Sequence, residues 1–346
     1  MNGNFYQNNG QIGYNNGYNN IYNNGYHGNN KVLSSIRNSE SLKKIYSTAA
    51  LGLCIFFAVM LFSQIIIMSV TMFVDMSVVN EGWYNLFLSD VPIYGISLWC
   101  LLFFFSKLKV QKIEKKKLGV GNSISFFFIA CFMMIAGSII GQLADALLQG
   151  VFDVETNDAL TETANSMSLP IQIIFFVIIA PIGEEFVFRK LLLDRTAKYG
   201  EGAAILFSGL TFSLFHGNIM QIFYAFGVGL LLAYIYVKTG SYIRCVFLHG
   251  MLNALFGVVA PAFFKYMDSG NQTMEAVAII AVLAEYLFAL VGLILFIVYL
   301  CKKKIKIEKS EYTLSDSAVS CAFSNAPFIV FAVVTGLLMI MNYMGA

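Results

Sequence analysis

Residues 169–193 read LPIQIIFFVIIAPIGEEFVFRKLLL. At 1.5 Å per helical residue this stretch is long enough to cross about 30 Å of hydrocarbon. It also holds Glu184, Glu185 and Arg189. An ionised side chain at the centre of a spanning helix costs roughly 2.5–3.5 kcal/mol on insertion scales. Three together cancel much of what the surrounding Ile, Phe and Leu contribute. Such a cluster is tolerated where it faces protein or a wet cavity, so the stretch predicts both a membrane helix and a functional site.

The rest of the chain agrees. Of 346 residues 58% are hydrophobic and 12% charged, against about 45–50% and 25% in soluble domains. Further apolar runs cover about 47–74, 90–106, 123–144, 203–217, 220–237, 245–264, 274–300 and 325–344. The expected fold is all-α, a polytopic integral membrane bundle of about eight to nine transmembrane helices. Residues 203–237 read as a tight helical hairpin broken near His216-Gly217-Asn218. Residues 1–30, rich in Asn, Gly and Tyr, read as a disordered, solvated tail. N-terminal helices then run over 31–168, a catalytic core over 169–264 and C-terminal helices over 265–346. The net charge of +2 carries no signal for nucleic acid. Six cysteines lie in or beside apolar runs without a C-x-x-C, which argues against a disulfide framework.

Lys and Arg set the orientation. Lys31, Arg37, Lys43 and Lys44 precede the first span, and six lysines from Lys107 to Lys117 follow the second. Arg189, Lys190, Arg195 and Lys198 close the fourth, and Lys238 and Arg244 separate the sixth and seventh. Lys302, Lys303, Lys304, Lys306 and Lys309 follow the eighth. All fall on one side if the N-terminus is cytoplasmic, which puts the C-terminus outside. The opposite connections are acidic, with Asp75, Glu81 and Asp90 in one and Asp145, Asp153, Glu155, Asp158 and Glu162 in another.

Of three histidines, His216 and His249 lie in apolar segments near the glutamate pair. Counted from the basic ends, Glu184 is roughly 15 Å deep, His249 roughly 8 Å and His216 roughly 20 Å, a spread that tilt shortens enough for the three to meet. Glu185 and Arg189 are i, i+4 and form the natural ion pair, while Glu184 is turned to another face. Phe212 stands one turn before His216 as a cavity wall, and Asn253 one turn after His249 as a second polar donor. Two chemistries fit. In one, Glu184 is a general base, His216 orients water, and His249 and Asn253 donate to the oxyanion. In the other, Glu184, His216 and His249 bind zinc with an open position for water, assisted by Glu185 or Asn253. The metalloprotease helix H-E-x-x-H is absent.

Glu-Glu-x-x-x-Arg at 184–189, Phe-x-x-x-His at 212–216 and His-x-x-x-Asn at 249–253 together resemble the three motifs of the CAAX protease and bacteriocin-processing (CPBP) family, which includes the type II CAAX prenyl endopeptidases. The resemblance covers about 169–264. It implies an intramembrane endopeptidase with a conical cavity facing the cytoplasm and a membrane-associated or prenylated protein as substrate. It also implies Glu184 and His216 as the water-activating pair, with His249 and Asn253 as transition-state stabilisers. The family is often labelled a metalloprotease, which leaves both chemistries open.

Blander readings compete. The Glu-Glu-Arg cluster can lock helix packing, His249 and Asn253 can be interhelical glue, and Glu285 in the eighth span reads as paired with a tyrosine or a backbone donor. An ion-coupled transporter and a catalytically silent immunity or scaffold protein are the rival functions.

Overall fold

The structure, a computed structural model, describes residues 17–79, 83–84, 91–154, 167–267, 269–310, 312–341 and 343–344, with side chains from Leu33 onward. The expected disordered tail thus lies partly outside the described residues, and over 17–30 only helical backbone is described. The acidic residues Glu81, Asp90, Glu155, Asp158 and Glu162 also lie outside them.

Each apolar run is a helix, and no strand occurs among the described residues. The helices are α1 (Gly17–Thr71), α2 (Val91–Ser106), α3 (Val120–Phe152), α4 (Leu169–Tyr199), α5 (Glu201–Phe215), α6 (Ile219–Thr239), α7 (Tyr242–Phe264), α8 (Gln272–Cys301), the short α9 (Ala318–Phe323) and α10 (Ala326–Met341). Six of them are long and apolar enough to span a membrane, while α2, α5 and α10 are shorter. Their outer surfaces are apolar: Phe62, Met68, Leu143, Leu147, Phe247, Leu283 and Leu287 are all more than half exposed. A soluble monomer does not present such a belt, and the chain is a multi-pass membrane protein.

Helical periodicity decides what each element buries. On α1, Leu42, Tyr46, Ala49, Leu53, Phe56 and Phe57 recur at three- and four-residue intervals and are buried against α2, α9 and α10. On α3, a β-carbon at Gly141 would stand 2.3 Å from the Met220 carbonyl oxygen. That contact brings α6 close, as Gly292 on α8 brings that helix onto the α3 backbone at Phe128. Gly257 makes no such approach, with nothing within 4 Å of its would-be β-carbon.

The central element is α5. Ala203, Ala204, Phe207, Ser208, Thr211, Phe212 and Ser213 are all buried, and apart from its two end residues only the stripe of Gly202, Leu206 and Leu210 is partly exposed. Its hydroxyls are satisfied by backbone carbonyls, with Thr211 donating to Phe207 at 2.7 Å and Ser208 to Phe188 at 2.8 Å. The hairpin expected at 216–218 is present. Gly217 takes φ +61°, and the Asn218 side chain caps α6 by accepting from the Met220 N–H at 2.8 Å.

The basic connections gather at one end of the bundle. The Gln111 N–H donates to the Asp194 carbonyl at 2.6 Å and the Lys116 N–H to Thr239 at 2.9 Å. The Glu308 N–H donates to the Glu201 carboxylate at 2.6 Å. The Ser315 N–H donates to Ser39 Oγ at 2.9 Å and draws the start of α1 to the same end. The six cysteines are free thiols.

Candidate functional site

Pro181 shapes the site. Lacking an N–H, it cannot close the helical bonds to residues four and five before it, and the chain widens into a π-helical segment at Ile173–Ile179. A short α-helical turn, Ala180–Glu185, carries the glutamate pair before a second π-helical segment, Phe186–Leu191. On α7 a third π-helical segment, Asn253–Val259, ends just ahead of Pro261. Interrupted helices of this kind recur at functional sites.

One carbonyl that Pro181 leaves without its helical N–H, that of Phe176, is met from α7, which also packs closely on the neighbouring turns. Asn253 Nδ2 donates to the Phe176 carbonyl at 2.9 Å. The Val177 carbonyl oxygen would lie 2.7 Å from a β-carbon at Gly250, so only a glycine lets α7 come this close. Tyr242 at the start of α7 donates its hydroxyl to the Ile182 carbonyl at 2.6 Å. Asn253, expected to serve an oxyanion, therefore has one amide N–H committed to the backbone of α4.

Glu185 and Arg189 are both fully buried and form the expected pair, Nε to Oε2 at 3.0 Å. The N–H is not aimed at that oxygen, so the contact is coulombic without a directional hydrogen bond. Arg189 is held further by Ser208 Oγ at 3.3 Å and by the face of Phe212, 4.7 Å from ring centre to guanidinium carbon. Its Nη2 has no hydrogen-bond partner among the described residues. Glu185 has a second role the spacing did not reveal: its Oε1 accepts from His249 Nδ1 at 3.0 Å. Because a carboxylate can only accept, that contact places a proton on Nδ1 and turns Nε2 the other way. Nε2 lies 3.8 Å from Glu184 Oε2. Glu184 is about one-fifth exposed, yet its Oε2 is buried and has no hydrogen-bond partner.

His216 ends α5. Its Nδ1 lies 2.8 Å from the Phe212 carbonyl, which can only accept, so Nε2 is left as the free lone pair. Phe212 is more than a wall. Its ring lies edge-on to His216 at 4.8 Å and to His249 at 5.8 Å, with Arg189 over its face. Glu184, Glu185, Arg189, Phe212, His216 and His249 thus form one cluster across α4, α5 and α7, while Asn253, one turn beyond His249, is tied to Phe176. Glu285 is not part of it. It sits buried on α8 within electrostatic reach of Cys131, and the tyrosine or backbone partner expected for it is not found among the described residues.

An apolar groove of about 280 Å³ runs on the exposed side of α4 and α7, lined by residues such as Val177, Ile182, Phe247 and Met251. A second cavity, about 520 Å³, lies between α3, α6 and α8 at the basic end. The carboxylate pair lines neither.

Residues missed by the sequence reading are those that hold the cluster: Ser208, Tyr242 and the Phe176 carbonyl. Pro181 inside a span was the available signal for the last of these.

Comparison with known proteins points the same way. Residues 166–255 match the family described as Rce1-like, type II CAAX prenyl endopeptidase Rce1-like. That segment holds all three motifs. The chain is also 26% identical over 207 residues to a Bacillus subtilis (strain 168) protein named "Putative membrane peptidase YdiL", an alignment covering 54% of this chain and 81% of the relative. No solved structure matches significantly.

Proposed function

We propose that this chain, a CPBP-family membrane protease through its Rce1-like segment, is an intramembrane endopeptidase that uses water activated by Glu184. Its substrate would be a membrane-associated or lipidated, CAAX-like protein or peptide. The observation that carries the reading is Glu184 itself. Its Oε2 is buried and without a hydrogen-bond partner beside His249 Nε2, while Glu185 and Arg189 occupy each other.

The roles follow from the donors and acceptors. Glu184 takes a proton from water, and the hydroxide adds to the scissile carbonyl carbon. His216, its Nδ1–H anchored on Phe212, offers Nε2 to orient that water. His249 donates to the oxyanion as an imidazolium, with Glu185 and Glu184 as its counter-ions. The second amide N–H of Asn253 is left for the same oxygen. The C–N bond then breaks, and the proton held by Glu184 passes to the leaving amine. The groove along α4 and α7 suits an apolar substrate tail that enters from lipid. The basic end is assigned to the cytoplasm of a cell-membrane protein.

Zinc held by Glu184, His216 and His249 is the second reading. The donor types fit, since each imidazole has Nδ1 anchored and Nε2 free. The spacing does not: among the described residues no three His, Cys, Asp or Glu side chains stand close enough to hold a metal ion. The geometry therefore favours the water route.

The test is peptide cleavage by the purified, liposome-reconstituted chain. Glu184→Ala and His216→Ala each lower kcat/KM by at least about 100-fold, and Glu285→Gln leaves it unchanged. Activity retained after thorough chelation supports the water route. Activity lost and restored by zinc supports the metal. Solute flux without any cleavage, or a cellular phenotype indifferent to Glu184→Gln, would show a transporter or a silent scaffold instead.

A further inference from the structure

The cavity at the basic end is separate from the glutamate cluster and has its own chemistry. The last turn of α8 closes with two bonds: the Lys303 N–H donates to the Leu300 carbonyl at 3.0 Å and the Lys304 N–H to Tyr299 at 2.9 Å. This is the cap in which a residue takes the left-handed conformation, and glycine usually fills it. Here Lys303 does, at φ +49°. A β-carbon is disfavoured there, so a charge stands where backbone geometry prefers none. The sharp turn fans Lys302, Lys303, Lys304 and Lys306 around one cavity.

The neighbours favour an anion. Lys238, also in the cavity wall, is neutralised by Glu201 at 2.5 Å and Glu308 at 3.5 Å. The side chains of Lys302, Lys303 and Lys306 make no ion pair or hydrogen bond among the described residues. Lys304 lies over the Tyr299 ring at 4.8 Å, and that tyrosine donates to Asn122 in the first turn of α3. The positive end of the α3 dipole therefore opens on the same space. Lys115, Lys116 and Lys117 adjoin it, because the Lys116 N–H bonds to the Thr239 carbonyl. Neutralising the carboxyl-terminal dipole of one helix takes a single cation, not four. Ile297 and Leu300, on the last turns of α8, are about half exposed and give an acyl chain an apolar surface to lie on along that helix.

We propose that this cavity binds the phosphate headgroup of an anionic phospholipid, its tails along α8. Basic pockets between spanning helices have the right chemistry for such headgroups. The site tethers the end of the bundle where α3, α6 and α8 meet.

The experiment follows thermal unfolding of the full chain in neutral detergent, titrated with phosphatidylglycerol, phosphatidylcholine or inorganic phosphate. Phosphatidylglycerol raises Tm by about 5 °C near saturation, and the other two leave it within about 1 °C. The triple variant Lys302→Gln, Lys303→Gln, Lys306→Gln loses most of that rise. Lys303→Gly, which relieves the left-handed strain, has a lipid-free Tm at least equal to wild type and still shows a reduced rise, so it tests the site even if the triple variant does not fold. An equal rise with inorganic phosphate would show a free-anion site. An undiminished phosphatidylglycerol rise in Lys303→Gly and the triple variant would show that the lysines serve only topology. Either result overturns the proposal, and neither touches the assignment of Glu184.

Discussion

Asn253 has one task in the packing of α4 on α7 and a second, at the oxyanion, that is proposed. The spacing after His249 suggested a donor for an oxyanion, while the structure commits one of its N–H groups to a carbonyl that Pro181 cannot satisfy. Removing that donor leaves a part-buried acceptor bare inside a span, a cost of about 1–3 kcal/mol. Asn253→Ala should therefore lower Tm as well as kcat. Asn253→Asp should be worse, because an acceptor then faces an acceptor. Equal Tm values for wild type and both variants would show that the contact with Phe176 contributes nothing. At this scale the ion pair of Glu185 and Arg189 was readable from i, i+4 spacing. The bond from Glu185 to His249 was not, because it joins residues 64 apart. Only packing of α4 on α7 brings them together.

Among elements, α4 holds the most information. A proline in a span is visible in sequence, but its effect depends on which partner takes the freed carbonyls. Pro181→Ala restores an N–H and lets α4 revert towards a regular helix. The variant should then turn the Glu184 carboxylate away from His249. We expect a Tm equal to or above wild type with kcat reduced about 10-fold or more, since small misplacements of catalytic groups are expensive. A variant with unchanged kcat would show that the widened turn has no part in placing Glu184. Element existence was legible throughout: hydropathy found every helix from α1 to α8 and α10, and Gly217-Asn218 marked the hairpin. The π-helical segments were not legible, because apolar periodicity is nearly the same in both geometries. Nor was the lysine run after α8 legible as a cavity wall. In sequence it reads only as a topology signal.

For the whole molecule, the four basic connections are tied by hydrogen bonds to one end, the end proposed to face the cytoplasm. Cys301, exposed at that end, reports on it. A membrane-impermeant maleimide applied to intact cells should leave Cys301 unmodified and should label it after permeabilisation, with Cys301→Ser as the control. Labelling of intact cells would reverse the assignment of sides.

The largely enclosed helix α5 has a consequence for biogenesis. Its 15 residues span only about 22 Å, and beyond the narrow, partly exposed stripe of Leu206 and Leu210 it presents little surface to lipid. It must enter folded against its hairpin partner α6, with α4 already in place to receive it. The four groups assigned to catalysis, Glu184, His216, His249 and Asn253, arrive on three separate elements, α4, α5 and α7, in the order of synthesis. A nascent chain therefore cannot hydrolyse its neighbours until α7 has been inserted, which delays the onset of activity until most of the bundle exists.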